Sequence, residues 1–334
     1  MKMLMFDFRE SEAEYFTNND LSDFEIEFIK EPLNELSVLN NMQLEETAIV
    51  SVFITSNVTE NVIKKFKNLR IISTRSTGYN HIDIKYCSQN NIAVFNVEEY
   101  GNTSVAQFTF MLFLSLTRKL IPAYLDVQKG LIEHENYEGR SLANLSLGII
   151  GCGSIGSSVA KIANFFGMKV YVCSYEKNAE ISSFAEYLPM NSVLEKSDII
   201  TLHLPYTPEI YHLIGENELN RMKEGAYLIN TARGELVDII ALYNNLISGH
   251  ISGAALDVIE CENFTVNEMP IDIDNSQSHC LNKAYATQKL LGMRNVIITP
   301  HIAYNTKESV ETILSTTFNS LRDYFKGLHT NQLR

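Results

Sequence analysis

The stretch GCGSIG, Gly151–Gly156, follows the apolar run LSLGII (Leu145–Ile150) and opens IGSSVAKIANFFG, a segment of helical length. No other feature restricts the fold of this chain as strongly. A lone GxGxxG recurs by chance, but between a buried strand and a helix each glycine has a task. Gly151 allows the tight turn, Gly153 lets the backbone approach a pyrophosphate, and Gly156 lets the helix sit close on the strand. Ser154 and Ile155 complete the loop, and the N–H groups that open the helix face the phosphates. The bland alternative is a tight strand–helix turn with no ligand. A further strand, KVYVCS (Lys169–Ser174), completes a β-α-β unit and favours a bound dinucleotide.

An acidic residue about 20 positions beyond the first glycines would bond the adenosine ribose hydroxyls of NAD. Ser174 occupies that place, followed by Glu176 and Lys177. Glu176 suits the ribose and repels a 2′-phosphate, whereas Lys177 would attract one. Both are otherwise solvated loop charges. The balance favours NAD.

Strand-like runs recur along the chain: IVSVFI (Ile49–Ile54), LRIIST (Leu69–Thr74), IAVFNV (Ile92–Val97), DIITLHL (Asp198–Leu204), AYLIN (Ala226–Asn230), ISGAALDV (Ile251–Val258) and NVIITP (Asn295–Pro300). Helical stretches such as Thr103–Lys119 and Ile155–Phe166 separate them. Near-continuous apolar strands alternating with helices predict an α/β fold with parallel sheets covered on both faces. Their spacing predicts two units, one over the first hundred residues and one from the helix near Thr103 to about Pro300. The segment His301–Arg334 reads as helical, and its return to the first unit would make that domain discontinuous. The polar stretch Asn263–Asn282 reads as a long surface insertion.

Composition removes other classes. With 334 residues, 45% hydrophobic and 20% charged, the chain is long enough for two domains. A net charge of −13 with no basic run argues against a nucleic-acid partner. The N-terminal MKMLMFDFRE reads as a first strand, not a leader. No apolar stretch reaches the roughly 18–20 residues of a membrane helix. Five cysteines without a CxxC pair read as reduced thiols of a cytoplasmic protein, with a disulfide left open by the sequence alone. Cys261 lacks the companions a metal site needs, so no metal is expected.

Three segments place charged residues beyond strand ends: Arg233 in INTARGELV, Asp257 and Glu262 in ALDVIECE, and His301 in TPHIAY. Ligands of open parallel sheets sit at the carboxyl ends of strands, the edge that would hold the cofactor. Arg grips a carboxylate through two parallel hydrogen bonds. His passes a proton near neutral pH. A carboxylate behind it orients the ring and favours its protonated form. Singly, Arg233 reads as a surface ion pair, Glu262 as a solvated acid and His301 as a structural histidine. Their joint placement suits hydride transfer to a 2-oxo acid.

These motifs, with STRSTGYNHID (Ser73–Asp83) and LHLP (Leu202–Pro205), fall in the order and spacing of the D-2-hydroxyacid dehydrogenases. The chain resembles that family over nearly its whole length, and most of all its D-lactate dehydrogenase branch. The resemblance implies a homodimer of two-domain subunits with Rossmann-like folds. Residues 101–300 would bind NAD, and residues 1–100 with 301–334 would form the substrate domain. It implies that Arg233 binds the substrate carboxylate, that His301 donates the proton and that Glu262 supports His301. Asp257, His203, Pro205, Thr231 and Ala232 would line the cofactor. Ser76, Thr77 and Gly78 would offer N–H groups to the carboxylate, and Tyr100 would reach the substrate. Tyr100, Tyr304 and Phe53 would limit its size, although Phe53, inside an apolar strand, reads as core.

Departures from the family are Ser174, and Gln107 and Phe108 where Glu and often His are usual. The leading expectation is reduction of pyruvate to D-lactate by NADH. The alternatives are glyoxylate, hydroxypyruvate or a bulkier 2-oxo acid as substrate, or a non-enzymatic scaffold that senses dinucleotides.

Overall fold

The structure is a computed structural model that describes residues 1–132, 135–262 and 278–333. The chain divides into two compact units, Met1–Tyr100 with Asn305–Arg334, and Gly101–Tyr304.

In the first unit, β1 (Lys2–Met5), β2 (Glu25–Phe28), β3 (Ile49–Val52), β4 (Ile71–Thr74) and β5 (Ala93–Phe95) form a parallel sheet in the order β2-β1-β3-β4-β5. Short helices join them: α1 (Ala13–Asn18), α2 (Asn41–Glu46), α3 (Glu60–Ile63) and α4 (Ile84–Gln89). Every side chain of β3 and β4 is buried, as the apolar runs require of strands covered on both faces. Leu4, Val50 and Ile72 pack toward Val62, Ile63 and Cys87 on one side. Met3, Ile49, Ile71 and Phe95 pack on the other against Phe318 and Leu321. Those two belong to a long C-terminal helix, Lys307–Phe325, whose N-cap Thr306 accepts from the Ser309 amide at 3.2 Å.

The second unit holds a seven-stranded parallel sheet. Its strands are β6 (Ser146–Ile150), β7 (Lys169–Cys173), β8 (Ala185–Tyr187), β9 (Ile199–Leu202), β10 (Ala226–Asn230), β11 (Ile251–Leu256) and β12 (Val296–Ile298). Its helices are α5 (Asn102–Thr117), α6 (Leu120–Gln128), α7 (Ser154–Phe165), α8 (Met190–Lys196), α9 (Glu216–Arg221), α10 (Ile239–Ser248) and α11 (Ser278–Leu291), which leaves the C-terminal helix as α12. The order β12-β11-β10-β9-β6-β7-β8 reverses direction between β6 and β9. Such a doubly wound sheet opens a crevice at that point, beyond the strands' carboxyl ends. Leu147, Ile149 and Ile229 face α5 and α7, while Ile150, Ile200 and Leu228 face the side of α8 and α10. No single helix among the described residues is long and apolar enough to cross a membrane.

Three expectations need correction. β2 and β8 were not expected. Each is a short edge strand, and EIEF in β2 carries two glutamates, so neither has the apolar run of a central strand. Cys261 and Cys280 are not thiols: they form a disulfide, with Cα atoms 5.9 Å apart. Their 19-residue separation hides the pairing, because only α11 brings Cys280 back beside Cys261. Of the expected surface insertion, residues 263–277 lie outside the described residues. Residues 278–282 open α11 instead of forming loop.

Candidate active site

The loop after β6 has the geometry its glycines predict. Gly151 sits at φ +89°, and a Cβ there would lie 2.4 Å from the His203 carbonyl oxygen. A Cβ on Gly156 would lie 2.2 Å from the Gly151 carbonyl oxygen, so the start of α7 presses on the turn. Gly153 differs: a Cβ there meets nothing within 4 Å. Protein packing does not demand glycine at that position, whereas close approach of a ligand does. The residues therefore fit a dinucleotide, with Ser154 and Ile155 opening α7 beside it. Across the crevice His203 follows β9. Its amide donates to the Ile150 carbonyl at 2.8 Å, and its Nε2 lies 3.0 Å from Thr201 Oγ1. Burial pushes its pKa well below the ordinary histidine range, so the ring is neutral near pH 7. Pro205 is exposed on the same loop. Thr231 and Ala232 follow β10, with Thr231 Oγ1 3.1 Å from Thr109 Oγ1 on α5. Ser174 follows β7 and is half-buried, while Glu176 and Lys177 are exposed.

The three charged residues sit beyond neighbouring strands at the same edge. Arg233 follows β10, and its Nη1 donates to the Ala232 carbonyl at 2.7 Å. Asn230 clamps that turn, donating to the Arg233 carbonyl at 2.8 Å and accepting from the Ala232 amide at 3.0 Å. His301 follows β12 at φ +53°, an unfavourable value for a residue with a Cβ. Asp257, 1% exposed, holds the turn in place. Its carboxylate accepts from Thr299 Oγ1 at 2.6 Å, the Ile302 amide at 2.9 Å and the Ala303 amide at 2.8 Å. Sequence reasoning pointed Asp257 at the cofactor; the structure shows it bracing the His301 turn.

Glu262 Oε2 lies 3.0 Å from His301 Nδ1, and its Oε1 accepts from the Ile259 amide at 3.2 Å. His301 Nε2 has no hydrogen-bond partner among the described residues. Among the described residues, the imidazole is thus oriented through one nitrogen and unengaged at the other.

In the first unit, Ser76, Thr77 and Gly78 follow β4. Their side-chain hydroxyls are used internally: Ser76 donates to the Gly78 carbonyl at 2.6 Å and Thr77 to the Val97 carbonyl at 2.9 Å. The loop is seated by Arg75, only 1% exposed, which donates to Ser51 Oγ at 2.9 Å and the Phe6 carbonyl at 2.7 Å. The Tyr100 carbonyl accepts from Ser309 Oγ at 3.1 Å. Tyr304, in the second unit, is 6% exposed, and Phe53 is buried as a core residue should be. Sequence reasoning passed over Glu260, 3% exposed, which gathers Tyr211, His212 and Lys283. Only the fold brings those partners together, and E-C-E gives no sign of which glutamate is buried.

Comparison with known proteins agrees with this geometry. Residues 110–303 match the family model for the D-isomer specific 2-hydroxyacid dehydrogenase, NAD binding domain. An aromatic 2-oxoacid reductase of Clostridium sporogenes is 35% identical over 288 residues, 85% of this chain and 85% of that protein. A glyoxylate reductase of Thermococcus litoralis is 33% identical over 314 residues, 91% of this chain and 88% of that protein. Among solved structures, D-lactate dehydrogenase of Aquifex aeolicus complexed with NAD and lactic acid aligns with a TM-score of 0.84 and 34% identity, covering 97% of this chain and 96% of that one. With a glycine-rich loop at the sheet's switch point and an Arg, Glu and His set at the same edge, this chain belongs to the D-isomer specific 2-hydroxyacid dehydrogenases, NAD-dependent oxidoreductases.

Proposed function

We propose that this enzyme reduces pyruvate to D-lactate. The observation that carries the proton-transfer part is the His301–Glu262 contact at 3.0 Å, which leaves His301 Nε2 available. When bound, NADH supplies the hydride to the 2-oxo carbon. Arg233 pairs with the substrate carboxylate, and the Ser76, Thr77 and Gly78 amides share that charge. His301 gives its Nε2 proton to the oxygen that becomes alkoxide, and Glu262 stabilises the imidazolium before transfer. Gly151, Gly153, Ser154, Ile155 and Gly156 hold the pyrophosphate, while His203, Pro205, Thr231, Ala232 and Asp257 line the rest of the cofactor. Glu176, beside Ser174, takes the ribose hydroxyls. Tyr100 and Tyr304 limit the acid to small side chains.

Two relatives support other substrates. The Clostridium sporogenes reductase, at 35% identity, favours an aromatic 2-oxo acid, and the Thermococcus litoralis enzyme, at 33%, favours glyoxylate. NADH oxidation followed by absorbance with pyruvate, glyoxylate, hydroxypyruvate, 2-oxoisocaproate and phenylpyruvate decides among them. Phenylpyruvate ahead of pyruvate would refute our choice, and silence with every acid would favour a dinucleotide-sensing scaffold.

We also read the chain as a cytoplasmic homodimer that takes neither nucleic acid nor membrane as partner. Exposed Leu120, Tyr124, Leu125, Val127, Leu131 and Ile132 on and after α6 support an apolar contact with a second copy. Light scattering should give twice the mass of the chain. The Cys261–Cys280 pair withdraws the cysteine argument for a reducing compartment.

A further inference from the structure

We propose that Glu260 is a positioning residue that sets Glu262 and Arg233 in register, so that the proton pair and the carboxylate grip are held by one buried carboxylate. This rests on the roles assigned above to those two residues. The Glu260 side chain is 2% exposed. Its Oε1 accepts from Lys283 Nζ at 2.7 Å, lies 2.9 Å from His212 Nε2 and accepts from Tyr211 OH at 3.1 Å. Its Oε2 is buried with no partner among the described residues. A carboxylate so placed is costly to desolvate and more costly to leave unpaired, which suits a fixed geometric role better than general stability.

The partners come from separate parts of the unit. Tyr211 and His212 lie on the loop after β9, their rings stacked at 3.9 Å, and Lys283 lies on α11. His212 Nδ1 is 3.6 Å from Asp238 Oδ2 at the N-cap of α10. The same His212 donates its amide to the Glu235 carbonyl at 2.9 Å, in the turn that carries Arg233. That turn also presses on Glu260 directly: a Cβ on Gly234 would lie 2.1 Å from the Ile259 carbonyl carbon and 2.5 Å from the Glu260 nitrogen. The circuit from Glu260 through His212, Glu235 and Gly234 back to Glu260 is closed. It fixes where the Arg233 turn lies against the Glu260 peptide.

On the other side, only Cys261 separates Glu260 from Glu262. Cys261 has φ +56°, so the chain turns sharply there and the carboxylates are sent apart, one inward and one to His301. A disulfide from Cys261 to Cys280 and the ion pair from Glu260 to Lys283 both fasten this turn to α11. A carboxylate displaced by as little as an ångström can lose much of its catalytic effect.

The test compares Glu260→Gln with the parent enzyme and with Glu262→Gln. Glu260→Gln keeps the volume and one acceptor but removes the charge. It should lower kcat for 2-oxo acid reduction roughly tenfold, within the loss a small misplacement can cause. NADH affinity by fluorescence titration should stay within about twofold, as the cofactor loop is untouched. The alkaline limb of the kcat–pH profile should move to lower pH, as in Glu262→Gln. An NMR titration of the His301 ring without substrate reads the same displacement independently of turnover. It remains informative even if no 2-oxo acid proves to be a substrate, so failure of the functional reading is separable. Should Glu260→Gln not fold, Lys283→Met and Tyr211→Phe should move the same limb by less. A lower melting temperature with an unmoved pH profile and an unmoved His301 titration would overturn the proposal and leave Glu260 a stabilising residue only.

Discussion

His301 and Glu262 lie 39 positions apart in sequence and 3.0 Å apart in space, joined through Nδ1 and Oε2. Both sit on turns with a left-handed residue, His301 itself and Cys261 beside Glu262. Unfavourable backbone persists where surrounding bonds over-determine it. Here Asp257 supplies those bonds on one side and the Glu260 cluster on the other.

His301→Ala should lower kcat by a hundredfold or more, because general acid catalysis contributes about 10²–10⁴. NADH binding should be nearly intact. Glu262→Gln removes the carboxylate that faces His301 Nδ1. On the proposed mechanism, in which His301 donates the proton, the alkaline limb of reduction should move toward acid. An unmoved profile would remove Glu262 from the mechanism.

Cofactor choice is tested at Glu176. Glu176→Gln should weaken preference for NADH over NADPH, because a carboxylate near the ribose repels a 2′-phosphate. A parent enzyme with higher kcat/KM for NADPH would point to Lys177 instead.

Substrate size is tested at Tyr304. Overpacking costs roughly 1–3 kcal/mol, enough to disfavour phenylpyruvate and 2-oxoisocaproate in the parent. Tyr304→Ala should improve both relative to pyruvate. An unchanged ranking would show that this ring, 6% exposed, does not set the limit.

The thiol content is directly countable. Cys87, Cys152 and Cys173 are free, so thiol titration of the unfolded, unreduced chain should find three, against five after reduction. Five before reduction would refute the Cys261–Cys280 bond. Closing a loop of this size is worth about 3 kcal/mol, so the paired serine variant should unfold at lower denaturant.

Acid stability should depend on Asp126, which accepts from Arg294 and from Tyr137 OH at 2.6 Å. Arg294, then Tyr137, holds its pKa down at about 2. A depressed carboxylate stabilises the fold above its unfolded pKa, and that contribution is lost as pH falls toward 2. Arg294→Met should melt lower at pH 7, and the gap to the parent should close between about pH 4 and 2. A gap independent of pH would argue that the arginine acts through packing.

The local pattern of the sequence determined much of this protein. GCGSIG needs only its flanking strand and helix to be read, because turn, phosphate approach and helix packing all lie within a few residues. Central strands such as IVSV and AYLIN declare themselves because burial on both faces demands unbroken apolar runs. The placement of Arg233, Glu262 and His301 beyond neighbouring strands was legible because parallel topology sends the strand ends of one sheet to one edge.

What the tertiary structure alone decided joins residues with no local signature. The edge strands β2 and β8 exist by pairing with β1 and β7, not by their own composition. Cys261 meets Cys280 because α11 folds back, and Asp257 braces the His301 turn across 42 to 46 positions. Glu260 and Glu262 are the same residue type two places apart. Which is buried and which meets His301 depends on a left-handed Cys261 and on partners from α11 and the loop after β9, contacts that exist only once the sheet has formed.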